Sequence, residues 1–181
     1  MGGGRSEARW EDVGLEHFGR WLLEMKAKYE GLLPKRFPCG TGKASGWPDD
    51  KLKAALKALR DDMPKSRVVI KGLPQRIKDA LRTNTDSIFF SADNLAKQLY
   101  YHSEITPSEY IGAIAEIKGG ATEIYGIPKE YRIMLIANTG HHYAAMLKTT
   151  EDRSEAYILS LFRLDRGSLG KLLQKYGRFK I

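Results

Sequence analysis

The chain has 181 residues, 42% hydrophobic and 29% charged, which supports one sizeable core or two small ones and argues against wholesale disorder. No apolar run approaches the ~20 residues a membrane-spanning helix needs, and the single cysteine, Cys39, excludes an internal disulfide framework and a cysteine-rich zinc site. A net charge of +8 favours anionic partners such as nucleic acid.

In chain order, Trp10, Val13, Phe18, Trp21, Leu22, Met25, Tyr29 and Leu32 recur at spacings of three and four, which predicts a helix ended by Pro34. A loop, Pro38 to Gly46, follows. Pro48-Asp49-Asp50 suits a helix first turn, and Leu52, Ala55, Leu56, Leu59 and Met63 supply that helix's apolar stripe. Beyond Pro64 the character changes. Val68-Val69-Ile70 is a short apolar run, and Leu73-Pro74 opens a helix ending near Arg82. Ser87 to Phe90 reads as a strand, with Ser91 placed to cap a helix over Ala92 to Tyr101. Pro107 starts another helix, which Gly119-Gly120 stops. Four β-rich segments come next: Glu123 to Tyr125, Arg132 to Ala137, His142 to Thr149 and Ala156 to Phe162. A last helix covers Ser168 to Tyr176. The expected fold is therefore α+β, a helical N-terminal segment (1–64) followed by a domain (65–181) of helices packed on an antiparallel sheet of about four strands.

Two motifs fail on chemistry. Gly40-Thr41-Gly42-Lys43-Ala44-Ser45 lacks both the earlier glycine of a phosphate loop, since Phe37 stands there, and the hydroxyl after the lysine, since Ala44 stands there. His141-His142 are adjacent, so in a strand they point to opposite faces and cannot chelate one ion. Asn138-Thr139-Gly140-His141 reads instead as a tight hairpin turn. No metal and no cofactor is expected.

The last two strands carry more. With Thr150 to Ser154 as the connection, Lys148 pairs with Ala156, Met146 with Ile158 and Ala144 with Ser160. Tyr143, Ala145, Leu147, Tyr157, Leu159 and Leu161 then form an apolar face for the helices. The opposite face carries His142, Ala144, Met146, Lys148, Ile158, Ser160 and Phe162, and the Thr139-Gly140 turn puts Tyr131 beside Lys148. That face reads either as a half-exposed surface with scattered polar groups or as a site. The segment Arg163 to Lys180 holds six cations against Asp165 alone, either a solvated helix face with a basic tail or a phosphate-collecting surface.

Several stretches, in this order and spacing, carry a resemblance: Thr85 to Ser91, Asn94-Leu95-Ala96-Lys97, His102-Ser103-Glu104-Ile105, Tyr110-Ile111, Glu123-Ile124-Tyr125, Tyr143 to Thr150, and Tyr157 to Arg163. Over roughly its last two thirds the chain resembles the phage branch of the barnase–EndoU–colicin–RelE nuclease superfamily, whose domains often end phage head-morphogenesis proteins. The resemblance implies a small α+β fold with an RNA-binding sheet face and metal-independent cleavage through attack of the ribose 2′-OH. It implies Lys148 as phosphate stabiliser, Ser160 as its hydrogen-bond partner and His102 as proton carrier. Tyr131, His142, Thr150, Arg163, Arg166 and Lys171 would hold flanking substrate, RNA being favoured. The competing expectation is a structural virion component, a minor head or neck protein whose N-terminal aromatic helix (Trp10, Phe18, Trp21) enters a capsid partner's groove. Either would work in the host cytoplasm or on the virion, away from membrane.

Overall fold

The structure is a computed structural model that describes residues 11–29, 49–62, 66–102, 104–120, 122–127 and 131–181. Trp10, Leu32, Pro34, the loop over 38–46 with its rejected phosphate-loop motif, and the side chains of Asp49, Asp50, Leu52, Ala55, Leu56 and Ser91 lie outside the described residues.

Strand β1 (Glu11–Val13) leads into α1 (Leu15–Lys28), then α2 (Asp49–Asp62), β2 (Ser66–Lys71), α3 (Gln75–Leu81), β3 (Ser87–Ser91), α4 (Ala92–Tyr101) and α5 (Pro107–Gly119). The meander β4 (Glu123–Gly126), β5 (Arg132–Asn138), β6 (His142–Thr149) and β7 (Ala156–Leu164) follows, and α6 (Arg166–Tyr176) with a short 3₁₀ turn closes the chain. The α+β expectation holds. The sheet is wider than about four antiparallel strands: its order is β1-β2-β3-β7-β6-β5-β4, with β1 parallel to β2 and β3 parallel to β7. Val13, expected on the first helix, lies in β1, because residues 11–13 pair with Ser66 to Val68 before Gly14 opens α1.

One face of the sheet carries the main core. Val68, Ile70, Ile88, Phe90, Ile133, Leu135, Tyr143, Ala145, Leu147, Ala156, Ile158 and Leu161 meet Phe18, Leu22, Met25, Leu59, Ile77, Leu99, Tyr110 and Ile114 from the helices. Residues on both sides of Pro64 share this cluster, so the expected boundary does not separate two cores. Phe18 is fully buried and Trp21 packs against the same cluster. Of the aromatic residues expected to enter a partner's groove, Phe18 is thus taken up by the chain's own core and Trp21 is partly buried against it. The opposite face has a smaller cluster, in which Leu169, Leu172 and Tyr176 of α6 cover Tyr125, Met134, Ile136, Ala144 and Leu164. Among the described residues no helix is long and apolar enough to cross a membrane.

Local chemistry explains the element ends. Thr106 and Glu109 form a reciprocal capping box on α5, and Gly120 ends that helix in the left-handed conformation at φ +71°. Between β5 and β6 the connection is Thr139-Gly140-His141, one residue longer than the expected two-residue turn, with Gly140 at φ +100°.

Candidate nucleic-acid interface

That extra loop residue moves the β5–β6 register by one, so Arg132 rather than Tyr131 stands opposite Lys148. Tyr131, at φ +65°, uses its carbonyl to accept the Thr149 N–H at 2.9 Å. Between β6 and β7, Lys148 pairs with Tyr157 and Met146 with Ser160, and the register shifts between Met146 and Leu147. Leu159 is the extra residue of a bulge. Its effect is to reverse the alternation within β7. Ala156 and Ile158 face the main core and Tyr157 the opposite face, whereas Ser160 and Phe162 lie where expected. The assignment of Tyr157 to the helix-packed face and Ile158 to the opposite one is therefore corrected.

Lys148 and Ser160 do share a face and are diagonal neighbours across β6 and β7. Helix α6 covers the other end of that face, and no described element packs over this half. Arg132, Lys148, Tyr157 and Phe89 occupy one rung across β5, β6, β7 and β3. All four are half-buried. The rings of Phe89 and Tyr157 stand 6.0 Å apart. The Arg67 guanidinium lies 3.9 Å over Phe89 and 3.4 Å from Glu155. Neither Arg132 nor Lys148 forms an ion pair among the described residues. Along this rung two cations, Arg132 and Lys148, are followed by two aromatic rings, Tyr157 and Phe89.

His102 sits elsewhere. Strand β3 pairs with β7 only at Phe89 and Tyr157, because the chain turns into α4 right after Ser91. Helix α4 then lies along the edge β3 leaves open. Asn94 donates to the Ile158 carbonyl at 3.1 Å, and one turn later Gln98 accepts from the Leu161 N–H at 3.0 Å and donates to the Leu161 carbonyl. His102, one further turn on, stacks on Phe162 with centroids 5.8 Å apart. Burial holds its imidazole below the usual histidine range, and nearby Glu104 acts weakly the other way. Phe162 stands opposite Ala144, four residues from Lys148 and so about 13 Å along the strand. Ser160 lies between them; the imidazole and the ammonium do not meet.

The remaining expected residues disperse. Arg163 points to the helix side, where its guanidinium pairs with Glu109, and Tyr143 donates to the same carboxylate at 2.8 Å. Burial raises the Glu109 pKa, but the bonds from the Thr106 N–H, Tyr143 and Arg163 outweigh it and hold the carboxyl below its ordinary value. Burial, with the bond to Glu109, pushes the Tyr143 hydroxyl up to about 12. His142 is six residues from Lys148, about 20 Å along β6. Thr150 donates to Asp152 at 2.6 Å and organises the β6–β7 turn. Arg166 and Lys171 are exposed on α6. Arg132, Tyr157, Phe89 and Arg67 were not expected at a site. The available signal was period-two alternation in β2 and β3, which places Arg67 and Phe89 opposite the buried Val68, Ile70, Ile88 and Phe90. Among the described residues no three His, Cys, Asp or Glu side chains cluster as metal ligands would.

Comparison with protein-family models, with curated proteins and with solved structures finds no match to this chain.

Proposed function

We propose that this chain is a nuclease-like protein that binds RNA across the half of its sheet that α6 does not cover, with a phosphate held by Lys148, Arg132 and Ser160. The observation that supports it is the Arg132–Lys148–Tyr157–Phe89 rung, where two cations without ion pairs among the described residues adjoin two rings on a face that no described element covers. Cations collect backbone phosphate regardless of sequence, and the exposed basic residues of α6, Arg166, Lys171 and Lys175, extend the positive field beside the site. Resemblance to the phage nuclease branch adds cleavage: the Lys148 ammonium offsets charge on the transferring phosphoryl group and Ser160 hydrogen-bonds it. His102, about 13 Å away along the strand, contributes to a proton transfer only for RNA that spans both halves of the face. The alternative reading, a virion component, would have to use surfaces of α1 other than Phe18, which the chain's own core buries.

The test is incubation of the full chain with RNA in EDTA, scored for binding and for products. Wild type is expected to bind and cut. Lys148→Ala is expected to lower cleavage about a hundredfold or more and to weaken binding, whereas His102→Ala leaves binding intact. Binding without products removes the enzymatic part; absence of binding overturns the proposal.

A further inference from the structure

We infer that the outward side of α6 is a second nucleic-acid surface, which takes the phosphate backbone of single or double strands alike through Lys171, Lys175 and Arg178. It goes beyond the reading above, since it needs neither the sheet face nor cleavage. Leu169, Leu172 and Tyr176 turn one side of α6 to the sheet. Gly167, Lys171 and Gln174 recur at spacings of four and three on the other side. Lys175 follows Lys171 by one turn, and Arg178 stands just past the helix end. All three cations are exposed. The outward side is also clear of other described residues: a Cβ at Gly170 would meet nothing within 4 Å, and one at Gly167 only the Asp165 Oδ1 at 3.5 Å. The Lys175 ammonium lies 5.1 Å from the Tyr176 ring centre and the Arg178 guanidinium 4.8 Å from that of Phe179. Those contacts hold two long side chains in place without neutralising them.

None of the three cations forms an ion pair among the described residues, whereas Lys28, Lys57 and Lys78 pair with Asp62, Asp61 and Asp86. Asp165, the one acid between Arg163 and Lys180, is engaged as the helix cap, accepting the Ser168 N–H at 2.7 Å. From Lys171 to Arg178 the cations run roughly 10 Å along the helix axis, a line that suits a linear polyanion better than a single bound anion. A lipid surface fits less well. The apolar side of α6 is already spent on the sheet, and Leu173 and Ile181, 39% and 62% exposed, are too few to insert. A protein partner would need an apolar centre to its interface, and only glycine and glutamine lie between these cations. No outward ring is present for a base to stack on, so contact is confined to phosphates. Binding is then indifferent to base sequence and to pairing, and steeply dependent on salt.

The probe is a fluorescein-labelled RNA of about twelve nucleotides, as a single strand and as the matched duplex, with the full chain in EDTA and anisotropy read over a salt series. The variant carries Lys171→Gln, Lys175→Gln and Arg178→Gln, which keep helix-forming side chains. It is expected to lose at least about tenfold on both probes and to lower the salt slope by about two to three units. The control carries Arg20→Gln, Arg60→Gln and Lys118→Gln, exposed on α1, α2 and α5, and changes the net charge equally. It is expected to stay within about twofold of wild type. Equal losses in the two triple variants reduce the effect to net charge and overturn the inference. A loss confined to the single strand overturns the backbone assignment. So does an α6 variant unchanged on RNA that no longer binds vesicles of roughly three parts phosphatidylcholine to one of phosphatidylserine. Lys148→Ala separates the two surfaces. If it binds like wild type while the α6 variant is weakened, the sheet-face reading falls and this inference stands; the converse result overturns this inference alone.

Discussion

At the scale of single residues, the two groups expected to cooperate are held in different environments. Lys148 is half-buried on the sheet face beyond α6, whereas His102 lies against Phe162 and is largely buried, which disfavours its charged form. The sign of the resulting pH dependence follows. A histidine whose folded pKa is lowered leaves the unfolded chain binding more protons below about pH 6.5, so stability present above that value is lost as the pH falls toward the folded pKa. Chemical unfolding between pH 7 and pH 5 is expected to show a decline in stability that His102→Gln flattens; an unchanged decline in the variant contradicts the burial assigned to the imidazole. Arg163 makes a complementary point. Its expected role on an RNA backbone fails because a carboxylate three residues into α5, Glu109, already holds it, and nothing local to Arg163 in the sequence announces a partner 54 residues away.

Among elements, α4 replaces a strand. Where β3 departs, the backbone of β7 would be left with unpaired groups next to the core, and Asn94 and Gln98, one helical turn apart, supply the missing partners. Gln98 is 3% exposed, so no water replaces it. Gln98→Leu is expected to leave both Leu161 backbone groups unsatisfied and to cost about 2–4 kcal/mol, read as a shift of the denaturation midpoint at constant slope. A change under about 0.5 kcal/mol contradicts the strand-replacing role. The elements themselves were mostly legible from pattern: β6 alternates cleanly from His142 to Lys148, and Thr106-Pro107 with Glu109 marks the start of α5. Register was not. The tip between β5 and β6 could close with two residues or three, and the choice decides whether Tyr131 or Arg132 faces Lys148. The bulge at Leu159 was hidden because Leu159 and Leu161 fit an unbroken alternation equally well.

For the molecule as a whole, the consequence of β1 pairing with β2 and of Phe18, Leu22 and Leu59 joining the sheet's core is that the N-terminal segment is structural. A chain beginning at residue 65 would expose the Val68, Ile70 and Phe90 surface those residues cover. It is expected to lack a cooperative unfolding transition, whereas the full chain unfolds in one step by near- and far-ultraviolet circular dichroism. A truncated chain that melts cooperatively would show the segment to be an appendage. The change of composition at Pro64 reads as a boundary because helices give way to strands there, yet layer packing joins them: amphipathic α1 needs a partner for its apolar stripe, and the sheet face is that partner. Likewise the amphipathic pattern of α6 was visible, but not that Leu169 and Leu172 would cover only one half of the outer face.

The claim that the half of the sheet face beyond α6 receives RNA is tested most directly by residue-resolved NMR titration of the full chain with a short single-stranded RNA. The account predicts amide and side-chain shifts concentrated at Arg132, Lys148, Tyr157 and Ser160, fading toward His142 and Leu164. Shifts confined to the α1 and α2 surface, or none at saturating RNA, would contradict it.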